Sequence, residues 1–126
     1  LKIVTEKRPS NNQLEDLKFA WKLCSFVKSN AIILAQNKTL LGMGAGQPNR
    51  VMSVKIAGEV AGKKSIGCVM ASDAFFPFPD SIIKASDLGI KSIIQPGGSI
   101  NDSDVIEEAN NRGISMIFTN QRRFTH

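Results

Sequence analysis

Five short segments of this 126-residue chain carry residues that could do chemistry. Gly42–Arg50 reads Gly-Met-Gly-Ala-Gly-Gln-Pro-Asn-Arg. Small residues let backbone N–H groups approach a ligand, and a helix opens at the end of the segment, where Arg50 can pair with an anion. It is neither a Walker loop nor a dinucleotide fingerprint, since no Gly-Lys-Ser/Thr follows, and a glycine-relaxed hairpin exit is the alternative. Ser72–Asp80 reads Ser-Asp-Ala-Phe-Phe-Pro-Phe-Pro-Asp, placing two acids and three rings on a connection that is normally polar. A flat apolar wall beside a carboxylate suits a heteroaromatic ligand bearing N–H donors; the other reading is a loop packed beneath a neighbouring domain.

Pro96–Ser99 (Pro-Gly-Gly-Ser) precedes a helix and offers backbone donors, or is an ordinary strand-to-helix turn. Asn30 can donate its amide to a carbonyl oxygen, or simply end a helix. The tail Arg122-Arg123-Phe124-Thr125-His126 holds the chain's one imidazole, and disorder is the default for such an end.

The elements that must position these segments follow from periodicity. Ser10 or Asn11 caps a helix whose apolar stripe runs Leu14, Leu17, Trp21, Cys24, Val27. Ala31–Ala35 and Thr39–Met43, joined by Gln36-Asn37-Lys38, form an antiparallel hairpin. Pro48 suits the first turn of a second helix, with Val51, Val54, Ile56, Ala57 and Val60 as its apolar face. Gly67–Ala71, Ile90–Ile94 and Ile114–Phe118 are strands, separated by helices over Asp80–Leu88 and from an Asp102 or Ser103 cap to Asn111. Spacings of roughly two dozen residues between strands imply parallel crossovers. The expected class is α/β, a mixed sheet with helices on both faces and ligands at the carboxyl ends of the strands.

Composition narrows the function. A hydrophobic fraction of 42% supports an ordinary core within one domain, 1–126. The net charge of +5 is spread along the chain and no basic stretch interleaves with aromatics, so nucleic acid is not the expected partner. Cys24 and Cys68 lie far apart with no CxxC, which leaves metal ligation of the usual zinc kind unsupported and predicts a reducing, cytoplasmic location. No apolar run reaches membrane-spanning length. The chain opens at Leu1 without an initiator Met, and a fragment of a longer protein is expected.

Taken together, Lys28–Ala31, Gly42–Arg50, Ser72–Phe78, Gln95–Ser99 and Arg122–His126 resemble, in order and with matching spacing, the C-terminal part of the bifunctional purine biosynthesis family. These are the phosphoribosylaminoimidazolecarboxamide formyltransferase / IMP cyclohydrolase proteins. The resemblance implies a cytidine-deaminase-like fold without the deaminase zinc, and transfer of a formyl group from the cosubstrate 10-formyltetrahydrofolate to the 5-amino group of the ribotide AICAR. It implies Asn30 and His126 as this chain's catalytic positions. Arg50, Phe75, Arg122 and Phe124 would hold the nucleotide, and Val51, Asp80, Ser99 and Ile100 the folate. As partners it implies the rest of the formyltransferase domain, the cyclohydrolase domain and a homodimer, with Leu1–Val4 and Phe75–Phe78 as exposed apolar surfaces in the isolated piece.

The sequence departs from the family pattern at Pro79, where Arg is usual, and at Thr125, often basic. The Lys-His pair that supplies the family's general base does not occur here, so this chain alone is expected to lack turnover. A stand-alone binding module for phosphorylated purine precursors is the alternative.

Overall fold

A computed structural model describes residues 1–120. The elements run β1 (Lys2–Ile3), α1 (Asn11–Cys24), β2 (Ile32–Gln36), β3 (Thr39–Gly44), α2 (Arg50–Ala61), a 3-10 turn (Gly62–Ser65), β4 (Val69–Ser72), α3 (Asp80–Asp87), β5 (Ser92–Gln95), α4 (Asp102–Asn111) and β6 (Ser115–Phe118). One six-stranded sheet has the order β1-β6-β5-β4-β2-β3. The β4–β5 and β5–β6 pairs are parallel, while β2–β3, β2–β4 and β1–β6 are antiparallel. The expected mixed sheet is therefore present.

Side chains alternate across each strand, so one strand feeds two cores. Ile33, Ala35, Val69, Ala71, Ile94 and Ile117 face α1, where Leu17, Ala20, Trp21 and Cys24 close over them. Ile32, Leu34, Met70, Ile93 and Met116 face the opposite layer, which takes Val54 and Ala57 from α2, Ile82 and Ala85 from α3, and Val105 and Ala109 from α4. Helices thus cover both faces.

Local chemistry fixes the ends of these elements. Ser10 and Gln13 form a reciprocal capping box that starts α1. The hairpin turn is two residues, Asn37 and Lys38, both at positive φ (53° and 54°), with Gln36 inside the strand. Their N–H groups donate to the Asp16 carboxylate on α1 at 3.0 and 2.8 Å, which ties hairpin to helix and explains a buried acid.

Several sequence expectations are corrected. α1 stops at Cys24, short of Val27, and Ser25 caps it, so Asn30 is not a helix cap. Pro48 stands outside α2, because Asn49 is the N-cap and accepts from the Met52 N–H. Asn101, not Asp102 or Ser103, occupies the α4 cap position. Leu1–Val4 is not an exposed apolar patch: β1 pairs with β6, Ile3 and Val4 pack on opposite cores, and of its apolar residues Leu1 alone is exposed.

Candidate functional site

The register brings distant loops to one edge. Ile32 opens β2 opposite Ser72 at the end of β4 and opposite Gly44 at the end of β3, while Gln95 and Phe118 end β5 and β6 side by side. The chain before β2, after β3, after β4 and after β5 therefore meets at the carboxyl edge of the parallel strands, where open α/β sheets place ligands.

Hydrogen bonds lock these loops together. Asn30 donates from Nδ2 to the Gln47 carbonyl at 2.9 Å, and its own carbonyl accepts from Ser53 Oγ at 2.8 Å. One of the two amide hydrogens of Asn30 is thereby used, leaving the second for a ligand. The Ser29–Asn30 peptide bond is cis. Ser29 Oγ donates to Asp73 Oδ2 at 2.6 Å, and a guanidinium nitrogen of Arg50 lies 3.9 Å from Asp73 Oδ1. Asn101 donates from Nδ2 to the Pro77 carbonyl at 2.8 Å, joining the loop after β5 to the loop after β4.

Two cavities of about 230 Å³ each adjoin at this edge. Asn30, Pro48, Asn49, Arg50, Phe75 and Pro77 line the first. The second shares Asn49, Arg50 and Pro77 with it and adds Val51, Phe78, Asp80 and Ser81. The first cavity thus gathers all three of the described residues expected at the nucleotide and the reacting centre, Asn30, Arg50 and Phe75, from three different loops. The second gathers Val51 and Asp80, two of the four expected at the folate. Ser99 and Ile100, the other two, line neither cavity, and Ile100 is 99% exposed. Arg122, Phe124 and His126 lie outside the described residues.

The three clustered rings divide their roles. Phe76 is fully buried in the core, Phe75 is a half-buried cavity wall and Phe78 is exposed beside the second cavity. One Phe thus anchors the loop while its neighbour faces the cleft.

The glycines act differently from a phosphate cradle. A Cβ on Gly44 would strike the Ser53 carbonyl, and one on Gly42 the Ala57 carbonyl, so both let α2 lie directly on β3. Gly46 donates its N–H to the Lys28 carbonyl at 3.1 Å. Likewise the Pro96–Ser99 donors are already taken: Gly97 N–H goes to Gln95 Oε1, and Gly98 and Ser99 N–H go to the two carboxylate oxygens of Asp102 at 2.8 and 3.1 Å. An internal carboxylate fills this nest. Gly97 is irreplaceable there, with φ at 73° and a Cβ position 2.5 Å from the Phe118 ring.

Electrostatically the site is neither bare nor neutral. Asp73 is fully buried, and its Oδ1 has no hydrogen-bond partner among the described residues, so Arg50 beside it balances its charge. Asp80 sits exposed in the first turn of α3, where the helix dipole favours an anion. Ser81 Oγ, buried against the second cavity, has no hydrogen-bond partner among the described residues. Sequence reasoning missed Asp73, Ser29, Asn49, Pro77 and Ser81. The acid beside Ser72 was visible, but nothing local pairs it with Arg50.

The class is that of a cytidine-deaminase-like α/β sheet with its cleft at the strand carboxyl edge. The fold matches RibD from Acinetobacter baumannii (TM-score 0.58, 16% identity, 85% of this chain, 34% of that one). It also matches a diaminohydroxyphosphoribosylaminopyrimidine deaminase/5-amino-6-(5-phosphoribosylamino)uracil reductase from Thermotoga maritima (TM-score 0.52, 19% identity, 85% and 35%). At these identities the likeness concerns fold alone. Sequence goes further: residues 1–60 match the model of the AICARFT/IMPCHase bienzyme family. The chain is 57% identical to the bifunctional purine biosynthesis protein PurH of Trichodesmium erythraeum over 99% of its length, and 57% to that of Synechocystis over 98%. The chain is thus similar along nearly its whole length to proteins of this family, and it spans about a quarter (24%) of the length of these relatives.

Proposed function

We propose that this chain is the part of a purine-biosynthetic formyltransferase that walls the junction between an AICAR site and a 10-formyltetrahydrofolate site. The observation that carries this is the pair of adjoining cavities with Arg50 and Pro77 as their common wall. A group transfer between two bulky molecules needs two pockets meeting at one line, so that donor and acceptor atoms approach to about 3 Å.

In this reading Phe75 stacks the aminoimidazole and Arg50 offers guanidinium donors to the nucleotide while Asp73 fixes its orientation. Asp80 accepts pterin N–H donors, and Ser81 Oγ bonds a polar atom of the folate. The AICAR amine attacks the formyl carbon, and the formyl oxygen gains negative charge in the tetrahedral intermediate. The second Nδ2 hydrogen of Asn30 is the group that meets that oxygen, a contribution of the oxyanion-hole kind. Collapse of the intermediate breaks the bond to the folate nitrogen, which takes a proton as the amine loses one. None of the residues lining the first cavity is a base at neutral pH, so the proton acceptor is assigned to His126 or to the rest of the longer protein.

Arg122 and Phe124 complete the nucleotide site, and a cytoplasmic homodimer is its setting. Among the described residues no helix is long and apolar enough to cross a membrane. The test uses the full-length protein. Asn30→Ala lowers kcat for formyl transfer about 100-fold or more with little change in KM, whereas Asp80→Asn raises KM for the folate. Unchanged kcat in Asn30→Ala refutes the assignment.

A further inference from the structure

The two cavities of the cleft share walls from two elements. Asn49 and Arg50 come from the start of α2, and Pro77 comes from the loop after β4. Along that loop Pro77 is the changeover: Phe75 before it lines the first cavity, and Phe78 and Asp80 after it line the second. The place of Pro77 therefore sets the width of both spaces at once. A proline has no N–H, so its carbonyl is the one hydrogen-bonding group by which it can be held. That carbonyl accepts from Asn101 Nδ2 at 2.8 Å, from a residue 24 positions further along the chain.

Asn101 gives up an ordinary task to make this bond. It occupies the N-cap position of α4, where an Asn side chain normally accepts from an N–H in the first helical turn. Asn49 does so at α2, its Oδ1 taking the Met52 N–H at 2.9 Å. At α4 no side-chain cap bond forms. The mount behind Asn101 is firm. Its N–H donates to Ser99 Oγ and its carbonyl accepts from the Val105 N–H, both at 3.1 Å, and Val105 is fully buried. The loop it holds is pinned on either side of Pro77. Phe76 is fully buried, and the Pro79 carbonyl accepts from the N–H groups of Ile82 and Ile83 at the head of α3.

We propose that Asn101 is a positioning residue: by holding the Pro77 carbonyl it sets the partition between the two cavities, and with it the line along which two substrates meet. It lines neither cavity itself. This role rests on the formyl-transfer reading of the cleft. It carries a signature that separates a shared wall from a residue of one pocket. Loss of Asp80, which lines the second cavity alone, disturbs one substrate. Release of Pro77 disturbs both, together with their mutual alignment, on which the rate depends steeply.

The test is steady-state kinetics of the full-length protein carrying Asn101→Asp or Asn101→Ser, with urea unfolding to verify the fold. Asp keeps the shape of the side chain and removes the donor, while Ser is too short to span to Pro77. Both serve an N-cap as well as Asn does, so α4 keeps its start and the variants stay folded. In each, KM for AICAR and KM for 10-formyltetrahydrofolate rise together by about threefold or more, and kcat falls about tenfold or more. Amide exchange at Phe75, Phe76 and Phe78 accelerates in the same variants. An unchanged kcat, or a rise in one KM alone, in a folded variant overturns the positioning role and leaves the bond a staple of the fold. A wild type that transfers no formyl group overturns the formyl-transfer reading, and this role with it.

Discussion

Arg50→Met removes a charge and keeps the length of the side chain, leaving Asp73 buried with the Ser29 hydroxyl as its hydrogen-bond partner at 2.6 Å. At the 3.9 Å separation between Arg50 and Asp73, two unit charges at an effective dielectric of about 20 attract by about 4 kcal/mol. Breaking a buried pair from one side costs about 3–5 kcal/mol, because the surviving charge keeps its desolvation penalty. Arg50 is 11% exposed at its side chain, so water offsets part of this, and the lower value applies: about 3 kcal/mol. With a urea slope of about 2 kcal/mol/M, the unfolding midpoint falls by about 1.5 M. Asp73→Asn in the Arg50→Met background removes the orphaned charge and recovers most of the loss. Urea unfolding of the four proteins in this cycle is the assay. A midpoint shift under about 0.5 M, or strictly additive effects of the two substitutions, refutes the claim that Asp73 orients Arg50.

Three further outcomes follow from the geometry. Gly44→Ala drives a methyl into the Ser53 carbonyl and forces α2 off β3; thermal unfolding should register a loss of about 1–3 kcal/mol. Asp102→Ala strips the Gly98 and Ser99 N–H groups of their acceptor, costing about 1–2 kcal/mol, and amide exchange at both positions should accelerate. Burial pushes the Cys68 thiol up to about 12 from an ordinary 9.0. The folded state then favours the neutral thiol, so this contribution to stability is complete below the ordinary value and fades as pH climbs from about 9 towards 12. A maleimide assay on native protein at neutral pH should leave Cys68 unmodified until denaturant is added.

Much of the fold was legible because its punctuation is local. Ser10 with Gln13, Gly89 after α3 and Gly113 before β6 mark element ends within a few residues of themselves. The parallel crossovers followed from strand spacing, and three of the four distant segments expected at one sheet edge do converge there. What sequence could not supply was partnership across space. Asp73 reads as one more loop acid until the register of β2 against β4 sets it beside Ser29 and Arg50. The Gly42 and Gly44 pair suits a phosphate loop equally well until α2 is seen lying on it. Asp102 looked like a cap because its type and position fit one, yet its carboxylate reaches back to fill the glycine turn before it. Ile56 and Val60 continued an apolar pattern whose buried side is narrower than the pattern itself.

The central claim is that loops far apart in sequence build one ligand cavity, with the nucleotide on the Asn30–Phe75 side. Amide NMR of the labelled 126-residue chain, titrated with AICAR, tests it most directly. Saturable shifts at Asn30, Arg50 and Phe75, together with quiet amides at Asn12, Asn37 and Lys38 around the unrelated cavity beside α1, are the predicted result. Saturable shifts confined to that other cavity, or none at Asn30, Arg50 and Phe75 at saturating ligand, contradict it.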